Sequence, residues 1–191
     1  MNRAYVLQNL INSVQAKTVC EVGIWAGDTS FFILNNCKNL KQYFMVDPLK
    51  YDLNFFDHHG SELDHPKHMQ LGTYKCTMGD PLKSQDDLDK MYEGIIMKLG
   101  EYPNAKFLRE ESLEAAKKFN DGELDIVFID AIHLYEFVKQ DIEAWLPKIR
   151  KGGILCGDDY TSTFPGVIRA VNETFQERVR VNSPVWSVIV D

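Results

Sequence analysis

Apolar residues along this 191-residue chain follow two patterns in turn. Short runs at 18–22, 43–46, 105–108, 126–129 and 154–156 read as strands, and 126–129 is apolar throughout, as expected of a strand covered on both faces. Elsewhere the spacing shifts to three and four residues. Val6, Leu7, Leu10, Ile11 and Val14 form one such stripe, and Leu88, Met91, Ile95 and Leu99 a second. Leu134, Phe137, Val138, Ile142 and Trp145 form a third, and Val167, Ile168, Val171 and Phe175 a fourth. Each predicts an amphipathic helix. Further helices are expected over 113–119 and from residue 28, the latter capped by Asp28, Thr29 or Ser30. Gly152-Gly153 reads as the break before the fifth strand. The tail around Asn182-Ser183-Pro184 reads as two strands pairing antiparallel at a sheet edge. Strands alternating with helices predict an α/β domain on a mostly parallel, doubly wound sheet. Residues 49–84 keep neither period and are expected to form a lid or loop insertion within a single domain spanning 1–191.

Composition narrows the class. Hydrophobic residues make up 45% and charged residues 26%, ordinary for a globular protein. No apolar run approaches the roughly 20 residues that span a bilayer, and the first residues do not read as a secretory signal. A net charge of -7 argues against wholesale binding of a nucleic-acid backbone. The cysteines at 20, 37, 76 and 156 have no C-x-x-C spacing, and Cys20 and Cys156 fall within expected buried strands. A reducing compartment, the cytoplasm, is the expected location.

The chemistry collects at strand ends. The run 126–129 stops at Asp130, and 154–156 leads to Asp158-Asp159. Parallel neighbours joined by a crossover helix put their carboxyl ends on one edge, where open α/β sheets bind ligands. Asp130, Asp158 and Asp159 are therefore expected to meet there as hard oxygen ligands for magnesium or another divalent cation, with His133, one helical turn from Asp130, as general base. Alternatively, Asp158-Asp159 caps the next turn and His133 only bonds Asp130 or the backbone. At the first crossing, Glu21-Val-Gly23-Ile-Trp25-Ala-Gly27 follows a strand and precedes a helix. Its glycines permit close backbone approach to a ligand. Glu21 where a dinucleotide fingerprint has glycine, and the bulk of Trp25, fit a pyrophosphate poorly; an amino group or sulfonium is the better match. Asp47, ending the next strand, is placed for ribose hydroxyls or for capping. His58, His59, His65 and His68 read as a solvated lid rather than a transition-metal site.

Glu21-x-Gly23-x-x-x-Gly27 with Asp47 resembles the cofactor motif of class I S-adenosylmethionine-dependent methyltransferases. F-I-D-A-I-H-L-Y-E, the stretch from Trp145 through G-G-I-L-C-G-D-D-Y, and G-V-I-R-A-V are similar to the metal-dependent small-molecule and sugar O-methyltransferase branch, of macrocin and mycinamicin type. The resemblance implies a Rossmann-like seven-stranded sheet with an antiparallel C-terminal edge. It implies S-adenosylmethionine held by Glu21, Gly23, Trp25, Gly27, Ser30, Asp47, Ser112 and Asp130, with Ser112 near the adenine. It implies magnesium on Asp130, Asp158 and Asp159, His133 and Asp130 as catalytic residues, and a sugar or glycoside hydroxyl as acceptor. The Asp-Asp pair departs from the Glu-Asp, His-Asp or Asp-Asn common in relatives. No nucleic-acid or membrane partner is expected; a homo-oligomer is compatible. Three rivals stand beside this: a metal-free methyltransferase with His133 as base, a nucleotide- or NAD-binding Rossmann domain, and a binding module without turnover.

Overall fold

The computed structural model describes residues 2–50 and 84–191. Most of the expected lid, with its four histidines and Cys76, lies outside the described residues. The described elements, in chain order, are helix α1 (Arg3–Ser13), strand β1 (Thr18–Val22), α2 (Asp28–Asn36), β2 (Gln42–Val46) and α3 (Gln85–Leu99). Then come β3 (Ala105–Leu108), α4 (Ser112–Ala116), β4 (Leu124–Ile129), α5 (Tyr135–Trp145), β5 (Ile149–Gly157), α6 (Pro165–Phe175), β6 (Arg180–Asn182) and β7 (Val185–Ile189).

The strands form one seven-stranded sheet in the order β3-β2-β1-β4-β5-β7-β6. The first five are parallel, and β7 runs antiparallel to β5 and β6, as the tail pattern predicts. The strand order reverses between β1 and β4, with β2 and β3 added on one side and β5 on the other; this is the switch point at which open α/β sheets place their ligands.

Period-two alternation divides the core. From β1, Val19 joins Leu7, Ile11, Ile33, Tyr43 and Met45 beneath α1, α2 and α3. Cys20 and Val22 point the other way, toward Val138, Ile142, Trp145, Val167 and Val171 on α5 and α6. Two apolar layers thus clamp the central strands, which is why these read as continuous runs. The buried thiols Cys20 and Cys156 pack as small apolar groups.

Three boundaries differ from the sequence expectation. Strand β5 begins at Ile149 and runs through both glycines, because Gly153 lies so close to the Asp125 carbonyl that a Cβ would approach it to 2.5 Å. The register slips between Leu124 and Ile126 to absorb the extra residues. Helix α4 stops at Ala116 instead of reaching Phe119. Helix α5 starts only at Tyr135, so His133 sits in the preceding loop and not one helical turn beyond Asp130.

Candidate functional site

Two strand ends build the acidic cluster. The Asp130 N–H donates to the Val22 carbonyl at 2.7 Å and the Asp158 N–H to the Ile129 carbonyl at 3.0 Å. The ladder therefore continues one residue past β4 and β5 and holds both carboxylates side by side. Asp159 adopts a left-handed backbone (φ 57°), an uncommon conformation for a non-glycine residue. It brings its carboxylate to 3.0 Å from His133 Nε2, with Asp130 at 3.6 Å on the other side. Donor atoms of Asp130, His133 and Asp159 all lie within 4.8 Å of one another. The His133 ring packs on Phe164, centroids 4.6 Å apart. Gly166 explains why that loop sits so low: a Cβ there would reach 2.8 Å from the Tyr135 nitrogen and 3.0 Å from the His133 carbonyl.

Burial pushes the His133 pKa down, but the carboxylates of Asp130 and Asp159 outweigh it and raise the value to about 9. The imidazole is therefore charged at neutral pH in the metal-free cluster. Its stabilising contribution is complete below the ordinary value of 6.5 and is lost as pH rises through about 9.

Asp158 belongs to a different partnership. Its Oδ2 accepts from Arg3 Nη1 at 3.0 Å, while its buried Oδ1 has no hydrogen-bond partner among the described residues. Arg3 Nε donates to Thr29 Oγ1 at 3.1 Å and lies 3.4 Å from Asp130 Oδ2. Burial disfavours the guanidinium, yet the charges of Asp130 and Asp158 more than compensate and hold its pKa above the usual value. Burial, then the charges of Asp130 and Asp159, push the Asp158 pKa up despite Arg3. Three of the four expected residues thus converge, while the fourth is paired with an arginine the sequence reading did not single out.

The glycine turn abuts this cluster directly. Gly23 has φ 85°, and a Cβ there would fall 2.2 Å from the Asp130 carbonyl oxygen. Gly27, at φ 82°, opens α2. Trp25, half-buried at φ 50°, lies between them. Asp47 Oδ2 accepts from the Ile24 and Trp25 amides at 3.0 and 2.9 Å, and Oδ1 from Leu49 at 2.9 Å. Asp47 therefore holds the turn in shape; a carboxylate has about four lone-pair sites, so some acceptor capacity is left for a ligand. Burial raises its pKa, opposed by those three amides.

Glu21 points into the α1–α2 layer and is 1% exposed. Its Oε2 accepts from Ser30 Oγ at 2.5 Å and Tyr43 Oη at 2.6 Å. Burial lifts its pKa to about 7, against those two donors. Ser30 thus supports Glu21. Ser112 opens α4, but its hydroxyl donates to the buried Asp141 at 2.5 Å and accepts from Trp145 Nε1 at 2.9 Å. Burial raises Asp141 to about 6, against the Ser112 hydrogen bond. Sequence reasoning missed Arg3, Tyr43 and Asp141, and read Thr29 only as a candidate cap. The cap of α2 is Gly27, with no side-chain cap hydrogen bond, and Thr29 accepts from Arg3 instead. Among those missed, only Asp141 left a trace, as an acid on the stripe side of α5 beside Ile142.

A seven-stranded α/β sheet with an acidic cluster and a glycine turn at its switch point defines a class, and comparison with known proteins identifies it. Residues 20–160 match the family model described as "Methyltransferase domain", and the chain belongs to that family. It is 26% identical over 182 residues to an uncharacterized protein of Acanthamoeba polyphaga mimivirus, covering 88% of this chain and 65% of that relative's length. Among solved structures, a Corynebacterium glutamicum protein superposes with TM-score 0.61 at 15% identity, covering 98% of this chain and 80% of its own. A TDP-rhamnose 3'-O-methyltransferase of calicheamicin biosynthesis does so with TM-score 0.58 at 14% identity, covering 98% and 78%. A Thermotoga maritima SAM-dependent O-methyltransferase gives TM-score 0.57 at 9% identity, covering 97% and 62%. These neighbours share the Rossmann-like methyltransferase fold. No described helix is long and apolar enough to cross a membrane.

Proposed function

We propose that the chain is an S-adenosylmethionine-dependent O-methyltransferase acting on a small acceptor, a sugar or glycoside with neighbouring hydroxyls. The observation that carries this is the contact between the two halves of the site: Gly23 of the donor-side turn lies against the Asp130 backbone, beside His133 and Asp159. Donor and acceptor sites at one strand edge provide the alignment on which a two-substrate displacement depends. Family membership and the sugar-nucleotide O-methyltransferase named among the fold neighbours are consistent with the reading.

On the donor side, Gly23, Trp25 and Gly27 supply the turn, Asp47 keeps it in shape and meets ribose hydroxyls, and Glu21 with Ser30 gives a buried acidic base. S-adenosylmethionine supplies the methyl group as an electrophilic sulfonium. Ser112, engaged by Asp141 and Trp145, shapes the adenine wall through its position on α4.

On the acceptor side, the hard oxygens of Asp130 and Asp159 fit a divalent cation, with magnesium favoured by carboxylate and water ligands. Such a cation would lower the pKa of an acceptor hydroxyl and oppose the charge on the adjacent imidazole. His133 Nε2, between the two carboxylates, takes the hydroxyl proton once the imidazole is neutral. Asp158 is held by Arg3 at the edge of this set. The buried free thiols Cys20, Cys37 and Cys156 accord with action in the cytoplasm.

A second reading has a specific observation behind it. The Arg3 guanidinium already neutralises part of the cluster, so in this reading the deprotonated fraction of His133 serves as base without a metal and turnover rises as pH approaches about 9. Methyl transfer from S-adenosylmethionine to a panel of sugars, glycosides and catechols, with magnesium and with excess EDTA, separates the two. Turnover on sugar hydroxyls that EDTA abolishes is the expected result. Full turnover in EDTA selects the metal-free reading, and turnover confined to catechols removes the sugar assignment.

A further inference from the structure

We infer that Arg3 and a divalent cation compete for the Asp130–Asp158–Asp159 cluster, so that helix α1 sets the cation affinity of the site. The inference rests on the proposed cation at Asp130 and Asp159.

Asp130 stands between Arg3 and His133. Its Oδ2 lies 3.4 Å from Arg3 Nε, and its Oδ1 lies 3.6 Å from His133 Nε2, on the side where the three donor groups converge. Arg3 also takes Asp158 Oδ2 at 3.0 Å, leaving Oδ1 buried and without a hydrogen-bond partner among the described residues. Asp158 follows β5 directly and is as well placed by the sheet as Asp130, yet it falls outside the convergent group. The arginine explains the difference: it removes one carboxylate from the ligand set and weakens the negative potential at another. Like charges sharing a carboxylate oppose each other, most strongly where burial keeps water out.

The anchoring of α1 makes the guanidinium replaceable. Ala4, Val6, Leu7 and Ile11 bury the helix against the sheet, whereas the Arg3 side chain is 44% exposed. Arg3 can therefore swing toward solvent while α1 stays docked. When it leaves, Asp158 becomes free to join the ligands. Coupling of this kind is reciprocal: a cation that displaces Arg3 is bound more weakly because Arg3 is there. Arg3 is thus a positioning residue, acting through Asp130 and Asp158.

The test uses manganese as an observable divalent probe, titrated by electron paramagnetic resonance and calorimetry on the wild type, Arg3→Gln and Arg3→Lys. Arg3→Gln keeps the core residues of α1 and is expected to bind manganese at least about tenfold tighter, since removal of a nearby unit charge is worth one or more factors of ten. Arg3→Lys keeps the charge and is expected to stay near wild type, a rescue that a merely structural role would not produce. Equal or weaker manganese binding in Arg3→Gln overturns the inference and leaves the cation reading intact. Absence of manganese binding in all three proteins, with S-adenosylhomocysteine still bound, removes the cation reading and this inference with it.

Discussion

Asp130→Asn is expected to reduce methyl transfer by about 10²–10⁴-fold, the range associated with losing a positioned acid–base system. The substitution is nearly isosteric, and the Asp130 amide that continues the sheet by donating to Val22 is unaffected. What disappears is the charge. Asp130 meets His133 through Oδ1 and Arg3 through Oδ2, so one change weakens the proton acceptor, the cation site and the guanidinium anchor together. Cofactor affinity is expected to be largely kept, because Gly23 touches the backbone and not the side chain of this residue. Steady-state kinetics beside a titration with S-adenosylhomocysteine checks both halves. Wild-type turnover in Asp130→Asn would refute the assignment of the cluster to catalysis.

Gly23→Ala is expected to have the largest effect on stability and on cofactor binding. At φ 85° an alanine is strained by about 1–2 kcal/mol on conformation alone. Its Cβ would also lie 2.2 Å from the Asp130 carbonyl oxygen and 2.6 Å from Ala131 Cα, both of them backbone atoms in the central layer. No side chain can rotate away, so β1 and β4 must separate at the point where donor and acceptor sites meet. Overpacking adds about 1–3 kcal/mol, for a total near 3 kcal/mol or more. For a chain of this size that corresponds to a fall in Tm of about 6–12 °C. Gly94→Ala is the control: it lies in α3 with nothing within 4 Å of its Cβ, and its Tm should hold or rise. Thermal melts of both variants decide the matter, and a Gly23→Ala protein with unchanged Tm and ligand affinity would contradict the close contact.

The sheet was legible because its strands are buried on both faces, which leaves apolar runs that stop abruptly at the chemistry. Asp130, Asp158, Asp159 and Asp47 could be placed from such endings alone. What those side chains bind was less legible. Asp158 faces Arg3, 155 positions away on a helix whose stripe of Val6, Leu7 and Ile11 predicts packing and says nothing of its polar first turn. Asp47 spends three interactions on local amides, a role that depends on the positive φ of Trp25 and Leu49 and leaves no mark in spacing. Ser112 meets Asp141 and Trp145 because α4 packs on α5, a contact that neither helix encodes by itself. The stretch Gly152-Gly153 misled for a local reason. Glycine pairs usually interrupt a strand, but here close approach to the Asp125 carbonyl requires one of them inside it.

The measurement that tests the central claim most directly is isothermal titration with S-adenosylhomocysteine, once with magnesium and once with EDTA. Saturable one-site binding in both conditions is the predicted result, since the glycine turn, Glu21 and Asp47 are built without the acidic cluster's cation. Absence of binding in both would contradict the assignment of the β1–α2 turn to a methyl-donor site.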